Sequence, residues 1–222
     1  MKHYIGLAVA LALAAACSSS TSPSTNQNST TMSFFVTSAT SVTGNLGGLA
    51  GADALCQSLA SGVGFGSKTW RAYLSVERDA SNGNRPTDAR SRIGTGPWVN
   101  VNGVTLAANV ADLHARKGDA AVFLDERGQR IPGQWAGSPA PVQHDILTGS
   151  NADGTLMTGF TCADWTSGSA DIAAQVGHSD GLGPNGDTSG ALSSWNSAHA
   201  NQNCSNTAPR GGAGRIYCFA RN

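Results

Sequence analysis

The chain has 222 residues, 13% of them charged and 40% hydrophobic, and its 14 basic side chains balance its 14 acidic ones. Without a basic stripe, that balance excludes the electrostatic footprint nucleic acid demands. The length leaves room for one domain with a core of its own once the N-terminal segments are set aside.

Met1-Lys2-His3 leads into an apolar stretch from Tyr4 to Ala16 that ends at Cys17. The pattern reads as a signal peptide over 1–17, since the apolar run is far shorter than the roughly 20 residues a membrane-spanning helix needs. Leu13-Ala14-Ala15-Ala16-Cys17 resembles the bacterial lipobox, with Ala14 where leucine is usual. It implies lipidation of Cys17, membrane contact through the lipid anchor only, and a place in the bacterial cell envelope, at the outer membrane or cell surface. The alternative is ordinary cleavage after an Ala-x-Ala site. Residues 18–32 are Ser, Thr, Asn and Gln with one proline, too polar to bury a core, and read as a tether. The folded domain is expected over 33–222.

Within it, Ser33 to Thr37 is a β-branched and aromatic run that predicts a strand. After Gly47-Gly48, the spacing of Leu49, Ala52, Leu55, Cys56 and Leu59 predicts a helix with Cys56 on its buried face. Trp70 to Val76 alternates like a strand. Trp98 to Leu106 reads as a hairpin around Asn102-Gly103, and Ala121 to Ile131 as a second one turning at Glu126-Arg127-Gly128. From Ile146 to Arg210 the chain is rich in Gly, Ser, Asn and Asp and is expected to be a long loop region, of the kind that carries function in compact domains. Arg215 to Ala220 predicts a closing strand.

Four cysteines in the folded part, Cys56, Cys162, Cys204 and Cys218, suit two disulfides in an exported protein and allow three pairings. Joining Cys56 to Cys218 would staple the first helix to the last strand, and joining Cys162 to Cys204 would close the glycine-rich segment. A structural zinc on the same cysteines is disfavoured, because none of them stands in a C-x2-C type spacing.

Gly44 to Cys56 with its Gly51-Ala52-Asp53 helix, followed by Trp70-Arg71-Ala72-Tyr73-Leu74-Ser75, resembles the start of the endostatin-like domain of collagens XV and XVIII. Ala121 to Gly128, Trp135-Ala136-Gly137-Ser138, Asn151 to Gly154, Cys162 to Trp165 and Ile216 to Phe219 continue the series in order, and a bacterial branch on surface lipoproteins is nearer still. The resemblance covers about Phe34 to Phe219. It implies an α+β, C-type-lectin-like fold with a long loop region and two nested disulfides, Cys56 with Cys218 and Cys162 with Cys204. The vertebrate domain binds heparin through arginines in the region of Arg78, Arg85, Arg90 and Arg92; here Glu77, Asp79 and Asp88 are interleaved with them. Sugar-binding C-type lectins hold calcium through Glu-Pro-Asn and Trp-Asn-Asp motifs. This chain has Gly183-Pro184-Asn185 and Trp195-Asn196-Ser197, each short of a carboxylate.

Three candidate chemistries remain. His178, Asp180, Asn185 and Asp187 crowd into ten residues and, with Asn196, form the candidate ligand-binding set; solvated turn residues are the plainer reading of the cluster, no cofactor is expected, and calcium is the ion its oxygens would suit if one were held. Gly177-His178-Ser179-Asp180-Gly181 matches the G-x-S-x-G elbow of serine hydrolases, with Asp187 and His199 following in triad order, but Leu182-Gly183-Pro184 cannot start the helix that the elbow requires. His114 and His144 stay unassigned, and the five tryptophans are expected mostly in the core. The sequence thus reads as a non-enzymatic surface module for a glycan or an extracellular or matrix protein. The alternatives are a structural envelope protein and, last, a hydrolase using Ser179.

Overall fold

A computed structural model describes residues 1–3 and 32–221. The leader, Cys17 and nearly all of the tether lie outside these residues. Among those described, no helix is long and apolar enough to cross a membrane. Met32 is fully buried, so the packed part reaches one residue into the segment expected to be tether.

In chain order the elements are β1 (Phe34–Val36), α1 (Gly48–Gly62), β2 (Thr69–Ala72), β3 (Val76–Asp79), β4 (Arg85–Thr87), α2 (Ala89–Arg92), β5 (Trp98–Val99), β6 (Thr105–Ala107) and α3 (Val110–Ala115). After these come β7 (Asp145–Leu147), the helical turn α4 (Cys162–Trp165), β8 (Gln175–His178), β9 (His199–Ala200) and β10 (Gly212–Arg221). The fold is mixed α and β, with one main sheet in the order β1-β10-β7-β8-β9, β2 also pairing β10, and two small two-stranded sheets.

β10 organises the domain. Its residues alternate between two cores, as a strand with both faces covered must do. Ile216, Cys218 and Ala220 join Phe35, Trp70 and the small-residue stripe Ala52, Cys56, Ala60 of α1. Tyr217 and Phe219 join Phe34, Trp98 and Trp195 in a second, aromatic core. The register Phe34↔Phe219 and Phe35↔Cys218 sets this division. Small side chains at three successive i, i+4 positions let α1 lie close to the sheet, and the Cys56–Cys218 disulfide joins the two at a Cα separation of 5.5 Å. The other disulfide is Cys162–Cys204, so the pairing implied by the resemblance is the one observed.

Three expectations need correction. The region 146–210 is not simply loop: β7, β8 and β9 fall in and beside it and extend the main sheet. Every residue of β8 is buried, so Gln-Val-Gly-His lacks the inside–outside alternation by which a half-exposed strand is recognised. The strand read over Trp70 to Val76 is two strands, because after Tyr73, whose amide still donates to the Tyr217 carbonyl, the Leu74 amide turns back to the Ala72 carbonyl and β3 pairs with β4 instead. The second hairpin reduces to one bridge, Leu124 to Arg130, because Asp125 ties the turn with its own carboxylate, accepting from the Arg127 and Gln129 amides. Trp70, Trp98, Trp165 and Trp195 are fully buried, and Trp135 is half-buried.

Candidate metal centre

Three strands converge their polar ends at one point. Asp145 opens β7 and faces His178, the last residue of β8, across an antiparallel pair, while His199 on β9 faces Val176. Residues two apart on a strand share a face, so Asp145, His178 and His199 lie together on one side of the sheet, with His199 diagonal to His178. His144 joins them from the residue before β7. Its carbonyl accepts the Ser179 N–H at 3.0 Å, and its ring stacks on that of His178 with centroids 4.4 Å apart.

Each imidazole is held by its outer nitrogen. His144 Nδ1 donates to Asp180 Oδ1 at 2.7 Å, His178 Nδ1 to the Leu192 carbonyl at 2.8 Å, and His199 Nδ1 to the Ala200 carbonyl at 2.9 Å. Carbonyl and carboxylate oxygens only accept, so each Nδ1 carries a proton, and in the neutral ring the Nε2 presents a lone pair. These lone pairs meet. His178 Nε2 lies 2.9 Å from His199 Nε2, and the two have no proton to share between them when both rings are neutral. Burial pushes the His178 imidazole down to about 4, with His144 and His199 adding to the shift, so it is neutral at physiological pH.

Asp145 sits among these nitrogens. His144 Nε2 and His178 Nε2 are each 3.3 Å from Asp145 Oδ1, and His199 Nε2 is 3.6 Å from Oδ2. The carboxylate is 1% exposed, and neither oxygen has a hydrogen-bond partner. A buried, unsatisfied carboxylate is costly. Burial pushes the carboxyl up to about 6, against the opposing pull of His199 and His144.

The spacing has a chemical meaning. A tetrahedral ion with bonds of about 2.0–2.2 Å places its ligand atoms roughly 3.3–3.6 Å apart, which is the spacing of Asp145 from the three imidazoles. The ligand atoms of His144, Asp145 and His178 all fall within 4.8 Å of one another, and they are the one such group among the described residues. Two imidazoles with a carboxylate, joined by His199 from outside that group at 3.6 Å from Asp145 Oδ2, offer donors of the kind zinc takes. They are unsuited to calcium, which takes six to eight oxygens.

The surroundings hold the ligands in place. Asp180 fixes the ring of His144, and it is fixed in turn by the Gln134 amide at 2.7 Å and the Leu182 amide at 3.1 Å. A side chain at Gly133 would collide with Asp180 Oδ2, so glycine is required where that chain crosses the carboxylate. Gly177, one residue before His178, likewise lies against the Trp195 carbonyl, leaving no space for a Cβ. That close approach brings the segment carrying His199 beside β8.

The imidazoles of His144, His178 and His199 floor a pocket of about 330 Å³ walled by Gln134, Pro184, Leu192 and Arg210. A larger groove, about 1130 Å³, runs between α1 and the β3–β4 hairpin, lined by Asp53, Arg71, Arg78, Asp79, Arg92 and Asp164. Its charges are largely matched, as Asp53 takes both Arg92 and Arg71, and Asp164 accepts the Glu77 and Arg78 amides. Arg92 is thus turned inward and Arg90 pairs with Asp88 and Asp153, whereas Arg78 and Arg85 stay exposed, Arg85 bonded to Asn82.

Of the residues expected to bind ligand, His178 belongs to the centre and Asp180 supports it from behind. Asn185 is exposed on the Pro184–Gly186 turn and Asp187 just after it, both outside the pocket lining, and the Asp187 carboxylate accepts from the Ser189 amide. Asn196 is 1% exposed and structural: its amide donates to the Tyr73 hydroxyl and to the Asn151 carbonyl, both at 3.0 Å. His114 takes the proton of the same hydroxyl at 2.7 Å, which accounts for it. Ser179 is 1% exposed, no histidine among the described residues bonds its hydroxyl, and a bend and a 3-10 turn follow it where the elbow would need a helix. Sequence reasoning missed Asp145 and left His144 and His199 out of the site. The adjacent His144-Asp145 pair was the available signal, but its meaning depends on the strand register. No family model matches the chain, and no curated protein matches it.

Proposed function

We propose that this chain is a non-enzymatic, exported binding module that holds one zinc-class ion on His144, Asp145, His178 and His199 and meets its ligand through that ion and the pocket above it. The observation that carries this reading is the Asp145 carboxylate, buried with neither oxygen hydrogen-bonded while imidazole lone pairs are held against it. A divalent cation answers both the unsatisfied carboxylate and the facing lone pairs. Binding is preferred to catalysis because Asp180, the nearest second carboxylate, is committed to His144 and two backbone amides, and no carboxylate lines the pocket as a base. The endostatin-like, C-type-lectin-like assignment belongs to this proposal and is supported by the nested disulfides. So do the lipid anchor at Cys17 and a glycan or extracellular protein as the larger ligand.

The test is zinc titration of the chelator-treated chain, followed calorimetrically, with Asp145→Asn and His178→Ala beside it. One zinc per chain, lost in both variants, supports the centre; no stoichiometric zinc, or zinc indifferent to both substitutions, refutes it. Binding to arrays of glycans and matrix proteins, with zinc and with chelator, then separates a recognition module from a structural envelope protein. Zinc uptake without any ligand would favour the structural role.

A further inference from the structure

The pocket above the centre has a charge and a shape of its own. Asp145 is 1% exposed and absent from the pocket lining, whereas the three imidazoles belong to it. A divalent ion among them would have the carboxylate behind it and its free side toward the pocket, and zinc readily adds a fifth ligand. Two positive charges on the ion against one negative charge on Asp145 leave a net positive floor.

The wall adds to that charge. Arg210 is the lining side chain that carries a full positive charge, and among the described residues no acidic side chain lines the pocket. Its position is built into the backbone. Arg210 adopts φ +68° in the Pro209–Gly211 turn, a conformation costly for a residue other than glycine, and its guanidinium donates to the Ala200 carbonyl at 3.2 Å, next to His199. That bond engages one guanidinium nitrogen and leaves further donors of the fork available. Pro184 and Leu192 give the pocket apolar lining, and Gln134 adds a polar side chain. At about 330 Å³ the space is at the small end of ligand pockets.

Resting on the metal centre proposed above, we infer that the pocket takes a carboxylate on a short apolar stem, one oxygen on the ion and the other on the Arg210 guanidinium, with the stem against Pro184 and Leu192. A planar carboxylate suits both partners, since it coordinates zinc through oxygen and matches the arginine fork. Phosphate would suit the charge but leaves the apolar wall unused.

Cobalt(II) in place of zinc makes both steps visible, because its visible absorption reports the ligands around it. The full chain, freed of metal, is loaded with cobalt and titrated with propionate, with propionamide as the neutral isostere, and with inorganic phosphate. The expected result is a saturable spectral change with propionate and none with propionamide. Affinity for propionate should fall about 10-fold or more in Arg210→Gln, with cobalt affinity unchanged, and Arg210→Lys should recover only part of it. A cobalt spectrum that ignores propionate, or one whose response survives Arg210→Gln, overturns the carboxylate site while leaving the metal centre standing. A response to phosphate in preference to propionate overturns the choice of carboxylate. Failure to develop any cobalt absorption would instead remove the centre on which the inference rests.

Discussion

Asp145 stands in an environment that penalises it in the metal-free protein and requires it in the metal-bound one, so substituting it should have effects of opposite sign. Asparagine keeps the shape, removes the buried charge, and supplies an amide that can donate to a facing imidazole Nε2. We expect metal-free Asp145→Asn to be more stable than the metal-free parent by about 1–3 kcal/mol and to gain nothing from zinc. Denaturant melts with and without chelator would read both signs, and a variant less stable than the metal-free parent would argue that the carboxylate is satisfied by some other means. Asp180 acts one step further out. It orients His144 through the 2.7 Å bond to Nδ1, so Asp180→Asn should weaken zinc by about 10–100-fold without abolishing it. Competition against a chromophoric chelator would measure this, and an unchanged affinity would reduce Asp180 to a loop brace.

At the scale of elements, α4 is the most strained piece of the chain. Cys162, Ala163, Asp164 and Trp165 all have φ between +48° and +63°, a left-handed turn built without glycine. Each such residue costs roughly 1–2 kcal/mol. The turn is held by the Cys162–Cys204 disulfide, by Trp165 donating to the Ser75 carbonyl at 2.9 Å, and by Asp164 accepting from the Glu77 and Arg78 amides. Ala163 is exposed and its side chain does none of this work, so Ala163→Gly should stabilise the domain by about 0.5–1 kcal/mol once the greater freedom of glycine in the unfolded chain is deducted. A lowered melting temperature would contradict that. The same disulfide encloses β8 and β9, and with them His178 and His199. Replacing both cysteines by serine should cost about 3–4 kcal/mol by the chain-entropy estimate for a 42-residue span, and zinc affinity should fall while far-ultraviolet dichroism persists. Retained affinity would show that β7 and β10 alone hold the strands in register.

Legibility in the sequence also varied from element to element. β1, α1 and β10 announced themselves by side-chain type and spacing: a β-branched and aromatic run, a 3–4 spacing, a closing apolar strand. β8 did not, since it is buried on both faces yet made of Gln, Val, Gly and His, so neither period nor apolar composition marks it and its histidine resembles a turn residue. His178 and Asp180 were found together because they are neighbours in the chain. Asp145 and His199 were missed as partners because only the pairings Asp145↔His178 and Val176↔His199 bring them near.

Over the whole molecule, the proposed centre lies toward one edge of the main sheet. β10 runs between the two cores, β7 lies parallel beside it, and β8 and β9 carry the sheet outward to its free edge. The outermost strand, β9, has two residues, the pair His199–Ala200, and is held to β8 through just two register positions. A metal bridging Asp145, His178 and His199 would fasten three adjacent strands by their side chains, supplementing a ladder that is short at that edge. An ion bound only by the folded state stabilises it by mass action, about 2.7 kcal/mol at a concentration 100-fold above Kd. For a domain of this size that corresponds to a rise in Tm of roughly 5–10 °C. The rise should grow with the logarithm of free zinc, vanish with chelator, and be absent in Asp145→Asn. Hydrogen exchange should place the added protection on β8 and β9 first, because these strands carry His178 and His199. Protection spread evenly over the domain would mean that zinc acts elsewhere, and a Tm that does not move with zinc would leave the buried carboxylate without the partner its surroundings call for.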